Sequence, residues 1–243
     1  MFIRIMHAER LKLRRSPVWL AFLILPMFPA FFGSVNLLNN LGLLQLDWTH
    51  LWTQHSLFSS YFFYPALTGV YCSYLWRLEH FDHNWNQVLS APVSVTQVFL
   101  GKLILAALMT LLAQAWGIIL FAIGGLFCGI PLRTFPPEAA MWLLCGVCGG
   151  AAVSAFQLLM SLVIRSFAVP VGIAMAGGVL GLGIAAKGFG YFFPYSLLSM
   201  GMSANGSDEE FVLPLFFACC AVFILLFSGL AVFYLKKHDV KTG

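Results

Sequence analysis

The placement of charge constrains this chain more than any other feature. Six stretches contain no Asp, Glu, Lys or Arg: 17–38, 51–76, 103–132, 139–164, 166–186 and 211–235. The 13 basic and 9 acidic residues all fall between or beyond them. A spanning helix needs about 20 apolar residues, and a single charge at its centre costs about 2.5–3.5 kcal/mol. Each stretch is long enough to cross a bilayer. Only 9% of the chain is charged and 60% is hydrophobic, whereas soluble domains carry roughly a quarter charged residues. That excludes an ordinary soluble enzyme and a disordered chain. The basic residues are scattered along apolar sequence, so they make no phosphate-tracking patch and no nucleic acid is expected as a partner. Outer-membrane barrels need segments of about ten residues alternating in polarity, and runs such as Leu103–Leu112 are apolar all round. The sequence predicts an all-α polytopic membrane protein, a single domain over 1–243 with six transmembrane helices.

Basic residues set the orientation. Arg4, Arg10, Lys12, Arg14 and Arg15 precede the first span. Arg77 and Lys102 lie between spans two and three, Arg165 between four and five, and Lys236, Lys237 and Lys241 after six. The opposite side has Arg133 and Lys187, with Asp47, Glu138 and Asp208-Glu209-Glu210. Both termini are expected in the cytoplasm. The first apolar stretch ends in Leu37-Leu38-Asn39-Asn40 without a convincing small-residue cleavage site, so it reads as a retained helix and not a signal peptide.

Residues 1–16 read as an amphipathic helix on the cytoplasmic surface, with Phe2, Met6 and Leu13 on one face and basic residues on the other. Pro26 and Pro29 predict a bend in the first span. Trp48 and Trp52 suit an interfacial belt. In segment 77–97, Phe81, Trp85, Val88 and Leu89 form one helical stripe among polar residues, and Pro92 stops it. This cytoplasmic helix is too polar for lipid and too short to fold alone. Its apolar stripe needs a cover. Lys102, in the first turn of a third span beginning near Val98, is expected to snorkel to the interface. Gly125/Gly129, Gly146/Gly150 and Gly177/Gly181 permit close helix approach. Gln114 and Gln157 are polar groups inside spans, expected to hydrogen-bond between helices. Segment 187–210 is aromatic and broken by Pro194, and reads as an extracellular or re-entrant element.

The chemistry that is missing narrows function further. No G-x-x-x-x-G-K-[ST], H-E-x-x-H or nucleophile elbow occurs. Cys145-x-x-Cys148 lacks a second pair or a nearby His, so it reads as ordinary helix packing. His80 and His83 read as part of a polar helix face. The spans carry no carboxylate, which argues against an ion-coupled carrier, and His55 stands nearly alone at the outer end of the second span. No catalytic or metal residue is assigned. If such a chain pumps anything, its energy must arrive through a cytoplasmic contact.

Two motifs carry a family resemblance. His7-Ala8-Glu9-Arg10-Leu11-Lys12-Leu13-Arg14-Arg15-Ser16 resembles the start of type-2 ABC exporter permeases. Glu79-His80, Trp85, Leu89-Ser90-Ala91-Pro92-Val93-Ser94 and Gly101-Lys102 resemble their stretch between the second and third helices. In pattern the whole chain is most like the permease subunits of lantibiotic self-immunity ABC transporters, which have about this length and no ATPase domain.

The resemblance implies a bacterial cytoplasmic-membrane permease paired with a second copy, or with a distinct homologous permease, above a cytoplasmic ABC ATPase dimer. The chain itself would bind no cofactor; ATP and Mg would sit on the ATPase. Segment 79–91 would be the coupling helix, with Glu79, Phe81, Asp82, Trp85, Val88 and Leu89 meeting the ATPase. Phe81 and Trp85 would anchor it, and Glu79 and Asp82 would face basic residues of the partner. The surface helix, through Glu9, Lys12, Arg14 and Arg15, would brace that contact. The cargo would be a membrane-bound antimicrobial peptide, or another peptide or lipid-like substrate, met by Trp48, Trp52, Tyr191, Phe192, Phe193 and Tyr195. Within transport, a drug, lipid or cell-wall cargo fits the same residues. Outside it stand a non-transporting scaffold or sensor subunit and, less suited to spans without carboxylate or His clusters, a membrane enzyme.

Overall fold

Helix α1 spans Phe2–Leu13 and ends where Pro17 follows. The computed structural model describes residues 2–14, 16–80, 93–204 and 211–237. The first apolar stretch forms two helices, α2 (Val18–Ile24) and α3 (Met27–Asn39), interrupted at Leu25-Pro26. Pro26 and Pro29 cannot donate to the carbonyls four residues back, so the break falls where the sequence places it. The Asp47 side chain accepts from His50 N at 2.8 Å and starts α4, Trp48–Phe58. A π-helical turn, Ser59–Phe63, leads directly into α5, Tyr64–His80. Pro65 has no N–H for Tyr61 O, and the widened turn sits over that gap.

Helix α6 runs Val95–Phe127 behind a capping box: Gln97 N donates to Ser94 Oγ at 3.3 Å, and Ser94 N donates to Gln97 Oε1 at 3.4 Å. The cap sets its start three residues before the Val98 expected from hydropathy. At 1.5 Å per residue it is about 50 Å long, longer than the roughly 30 Å hydrocarbon core. It therefore has length to spare outside lipid. Gly129, at φ +87°, lets the chain turn after it. Then come α7 (Ala139–Val163), α8 (Ala168–Ala185), the short α9 (Pro194–Gly201) and α10 (Leu213–Lys237).

Among the described residues, five helical segments are long and apolar enough to cross a membrane: 18–39, 95–127, 139–163, 168–185 and 213–237. The second stretch of the sequence is divided by its π turn, and no single helix in it reaches that length. Lipid-sized apolar side chains such as Phe31, Ile119, Leu180 and Leu225 point outward, as expected where the solvent is hydrocarbon.

The core centres on α7, which packs against α5, α6, α9 and α10. Small residues allow this. A Cβ on Gly149 would lie 2.6 Å from Leu197 O, and one on Gly201 would lie 2.6 Å from Cys145 O. The α7 and α9 backbones touch, and only glycine fits at each contact. Buried α9 residues run from Pro194 to Ser199, so this part of segment 187–210 is packed inside the bundle.

Candidate functional site

Four charged side chains meet where α1, α5 and α6 converge, and three of them are buried. Glu9 is on the face of α1 that also carries Phe2, Met6 and Leu13, and it is 4% exposed. Glu79 lies one turn beyond Leu75 on α5 and is 2% exposed. Lys102 of α6 is fully buried. Its Nζ donates to Glu79 Oε1 at 2.7 Å, Glu9 Oε2 at 2.9 Å and Leu75 O at 2.8 Å. An ammonium has three donors, and all are used. The same nitrogen lies 4.9 Å from the Trp76 ring centroid, a cation–π distance. Trp76 Nε1 in turn donates to Leu158 O of α7 at 2.9 Å.

Lys12 closes the cluster from the wetter side. Its Nζ donates to Glu9 Oε1 at 2.7 Å and Glu79 Oε1 at 2.5 Å. Two carboxylates and two ammonium groups leave no formal charge, which is the condition for holding ions away from water. Burial opposes the ionised form of Glu79, but Lys102 and Lys12 outweigh it and hold its carboxyl below the ordinary value. Burial likewise opposes charge on Lys12, yet Glu9 and Glu79 outweigh it and raise its pKa.

This geometry departs from one expectation. Lys102 does not snorkel: the two carboxylates give it a fully paired site inside the bundle. Glu79, expected to meet the ATPase, pairs with Lys12 and Lys102 of its own chain. Phe81, Asp82, Trp85, Val88 and Leu89 of the predicted coupling stripe, and Arg15 of the surface helix, lie outside the described residues. Arg14 is exposed. The cluster has a trace in the sequence: Glu9 shares a helical face with Phe2, Met6 and Leu13, an improbable place for an unpaired carboxylate.

The aromatic residues proposed to meet cargo divide into two groups. Trp48, Trp52 and Tyr195 are inside the bundle, at 2–3% exposure, and do not form an interfacial belt. Trp48 Nε1 donates to Pro131 O at 3.1 Å and Thr134 Oγ1 at 3.2 Å. Trp52 Nε1 donates to Met202 O at 2.7 Å, and its ring stacks on Trp142 at 4.5 Å. Gln157 Nε2 donates to Tyr195 OH, the interhelical bond expected of a glutamine in a span. An indole or phenol with a backbone or amide partner is stable inside, so helix packing overrides the interface preference. Phe192 is exposed, while Tyr191 and Phe193 are half-buried. Tyr191 OH accepts from Val212 N at 2.8 Å.

Among the described residues there is no group of three or more His, Cys, Asp or Glu that could hold a metal ion. The fold and its charge clasp define a multi-pass, all-α membrane protein. Residues 5–181 match the model of the ABC-2 family transporter proteins, a match that takes in most of α1 and every residue of the clasp. The chain belongs to this family of ABC transporter permeases, whose members are non-catalytic transport subunits. None of the curated proteins matches it.

Proposed function

We propose that the chain is the membrane-spanning subunit of an ATP-driven exporter of the bacterial cytoplasmic membrane, working with a cytoplasmic ATPase dimer and a second permease. The observation that carries this reading is the clasp. It ties the helices on both sides of segment 81–92 to one another, through Glu79 of α5 and Lys102 of α6, and ties both to α1 through Glu9. A push delivered to that segment by an ATPase has a rigid path into α5 and α6. In this reading residues 51–76 form the sixth crossing, α9 is the buried limb of a re-entrant segment, and both termini are cytoplasmic. The basic-residue asymmetry and the burial of α9 support these points.

The cargo we favour is a membrane-active antimicrobial peptide. The resemblance to self-immunity permeases supports it, as do the exposed outer aromatic residues Phe189 and Phe192.

The test is affinity purification of the tagged chain from its native membrane, followed by ATPase assay of what co-purifies. A soluble ATPase in fixed ratio is expected, and Trp85→Ala should lower its stimulation by the permease without reducing membrane insertion. Recovery of the chain alone, under conditions that keep a known ABC complex intact, would refute the reading.

A further inference from the structure

Helix α1 has a second face. Glu9 and Lys12 turn toward the clasp, whereas His7, Arg10 and Arg14 are exposed. These three residues rim an open cleft of about 830 Å³, within the roughly 300–1,000 Å³ of small-molecule sites. Its wall is the Leu105, Leu108, Met109 and Leu112 stripe of α6, with Trp19 at the junction of α1 and α2. Trp19 Nε1 donates to Leu13 O at 2.8 Å, fixing the ring between the two helices. No carboxylate lines the cleft. Glu9 and Glu79 are engaged by Lys12 and Lys102, and among the described residues Arg10 and Arg14 have no carboxylate within ion-pair distance.

The cleft therefore has cationic donors at one edge and a hydrocarbon wall beside them. We propose that it holds an anionic phospholipid of the cytoplasmic leaflet, with its phosphate at Arg10 and Arg14 and an acyl chain along Leu105, Leu108 and Leu112. Each part of the ligand follows from a part of the site. Arginine presents a planar fork of donors suited to phosphate oxygens. A zwitterionic headgroup would bring an ammonium to a rim that offers it no acid. Free phosphate would leave the leucine wall uncovered. Basic pockets against cytoplasmic ends of spanning helices are suited to anionic headgroups. The proposal rests on the cytoplasmic placement of α1 in the reading above. A lipid here would add a second tie between α1 and α6 besides the clasp.

The test uses the purified full-length chain, exchanged into nanodiscs of dioleoylphosphatidylglycerol or dioleoylphosphatidylcholine, with retained lipid counted by native mass spectrometry. Preferential retention of phosphatidylglycerol is expected. Arg10→Gln with Arg14→Gln should weaken it by about fivefold per arginine, with helicity unchanged by circular dichroism. Leu108→Trp, which fills the cleft and keeps its charges, should also lower retention. Lys236→Gln with Lys237→Gln, at the far end of the chain, should not. Equal retention of the two lipids, an unaffected double arginine variant, or displacement of the lipid by equimolar inorganic phosphate would each overturn the proposal. The measurement needs no ATPase, so a failed transport reading leaves it intact. A chain that stimulates its ATPase normally but shows no lipid preference overturns the lipid site alone.

Discussion

Replacing Lys102 by Met keeps the length and the apolar stem of the side chain but removes the central charge of the clasp. Its ammonium contacts Glu79 at 2.7 Å and Glu9 at 2.9 Å. At an effective dielectric of about 20, each contact is worth about 6 kcal/mol of Coulomb attraction, against several kcal/mol per ion lost in desolvation. What remains after substitution is a net negative charge: Glu9 and Glu79 share Lys12 alone. Leaving one buried charge uncompensated costs about 3–5 kcal/mol. The penalty falls on the junction of α1 with α5 and α6, because the chain can relieve it by undocking α1. Amide hydrogen exchange measured by mass spectrometry in nanodiscs should show α1 losing at least about a hundredfold protection, at 1.4 kcal/mol per tenfold. The central part of α7 should be unchanged. Lys102→Met combined with Glu79→Gln removes one charge of each sign and should recover part of the loss, with an interaction term in the 0.5–3 kcal/mol range of contacting residues. Unchanged α1 protection in Lys102→Met, or strictly additive effects in the double variant, would refute the idea of a charge-balanced clasp.

Tyr195→Phe strands the Gln157 amide inside the bundle and should destabilise by about 1–3 kcal/mol, read as a lower thermal unfolding midpoint in detergent. Gly149→Val drives a side chain into the α9 backbone and should cost about 1–3 kcal/mol or more, visible as increased protease sensitivity around α9. The clasp also sets a pH window. A carboxyl whose pKa falls on folding contributes stability above its ordinary value of 4.5 and loses it as pH drops through the folded value. A lysine whose pKa rises contributes below 10.5 and loses its contribution as pH climbs through the folded value. The contribution of Glu79 and Lys12 should therefore be flat between those limits. An unfolding midpoint whose difference between wild type and Glu79→Gln changes markedly between pH 6 and 9 would contradict this.

No partner for Lys102 was legible in the sequence, and the reason is physical. Its two carboxylates are 93 and 23 residues away, and helical periodicity relates only residues within a few turns. The same limit hid the positions of Trp48 and Trp52. Their composition fits an interface, but their acceptors, Pro131 O and Met202 O, belong to distant segments. The π turn before Pro65 was equally out of reach, since hydropathy registers apolarity and not hydrogen-bond spacing. What was legible at the clasp was its oddity: Glu9 on an apolar face, and a lysine close to an uncharged span.

By itself the sequence determined the solvent. Removing a charge from water costs free energy at each residue regardless of its neighbours, so long uncharged stretches identify a membrane protein before any contact is known. Proline and the Ser94–Gln97 cap likewise act within a few residues, and they mark breaks and starts locally. Only the tertiary structure decided which charges are allowed inside. A buried ion is tolerable when opposite charges and hydrogen-bond partners reach it from other helices, and that condition exists only after α1, α5 and α6 have come together.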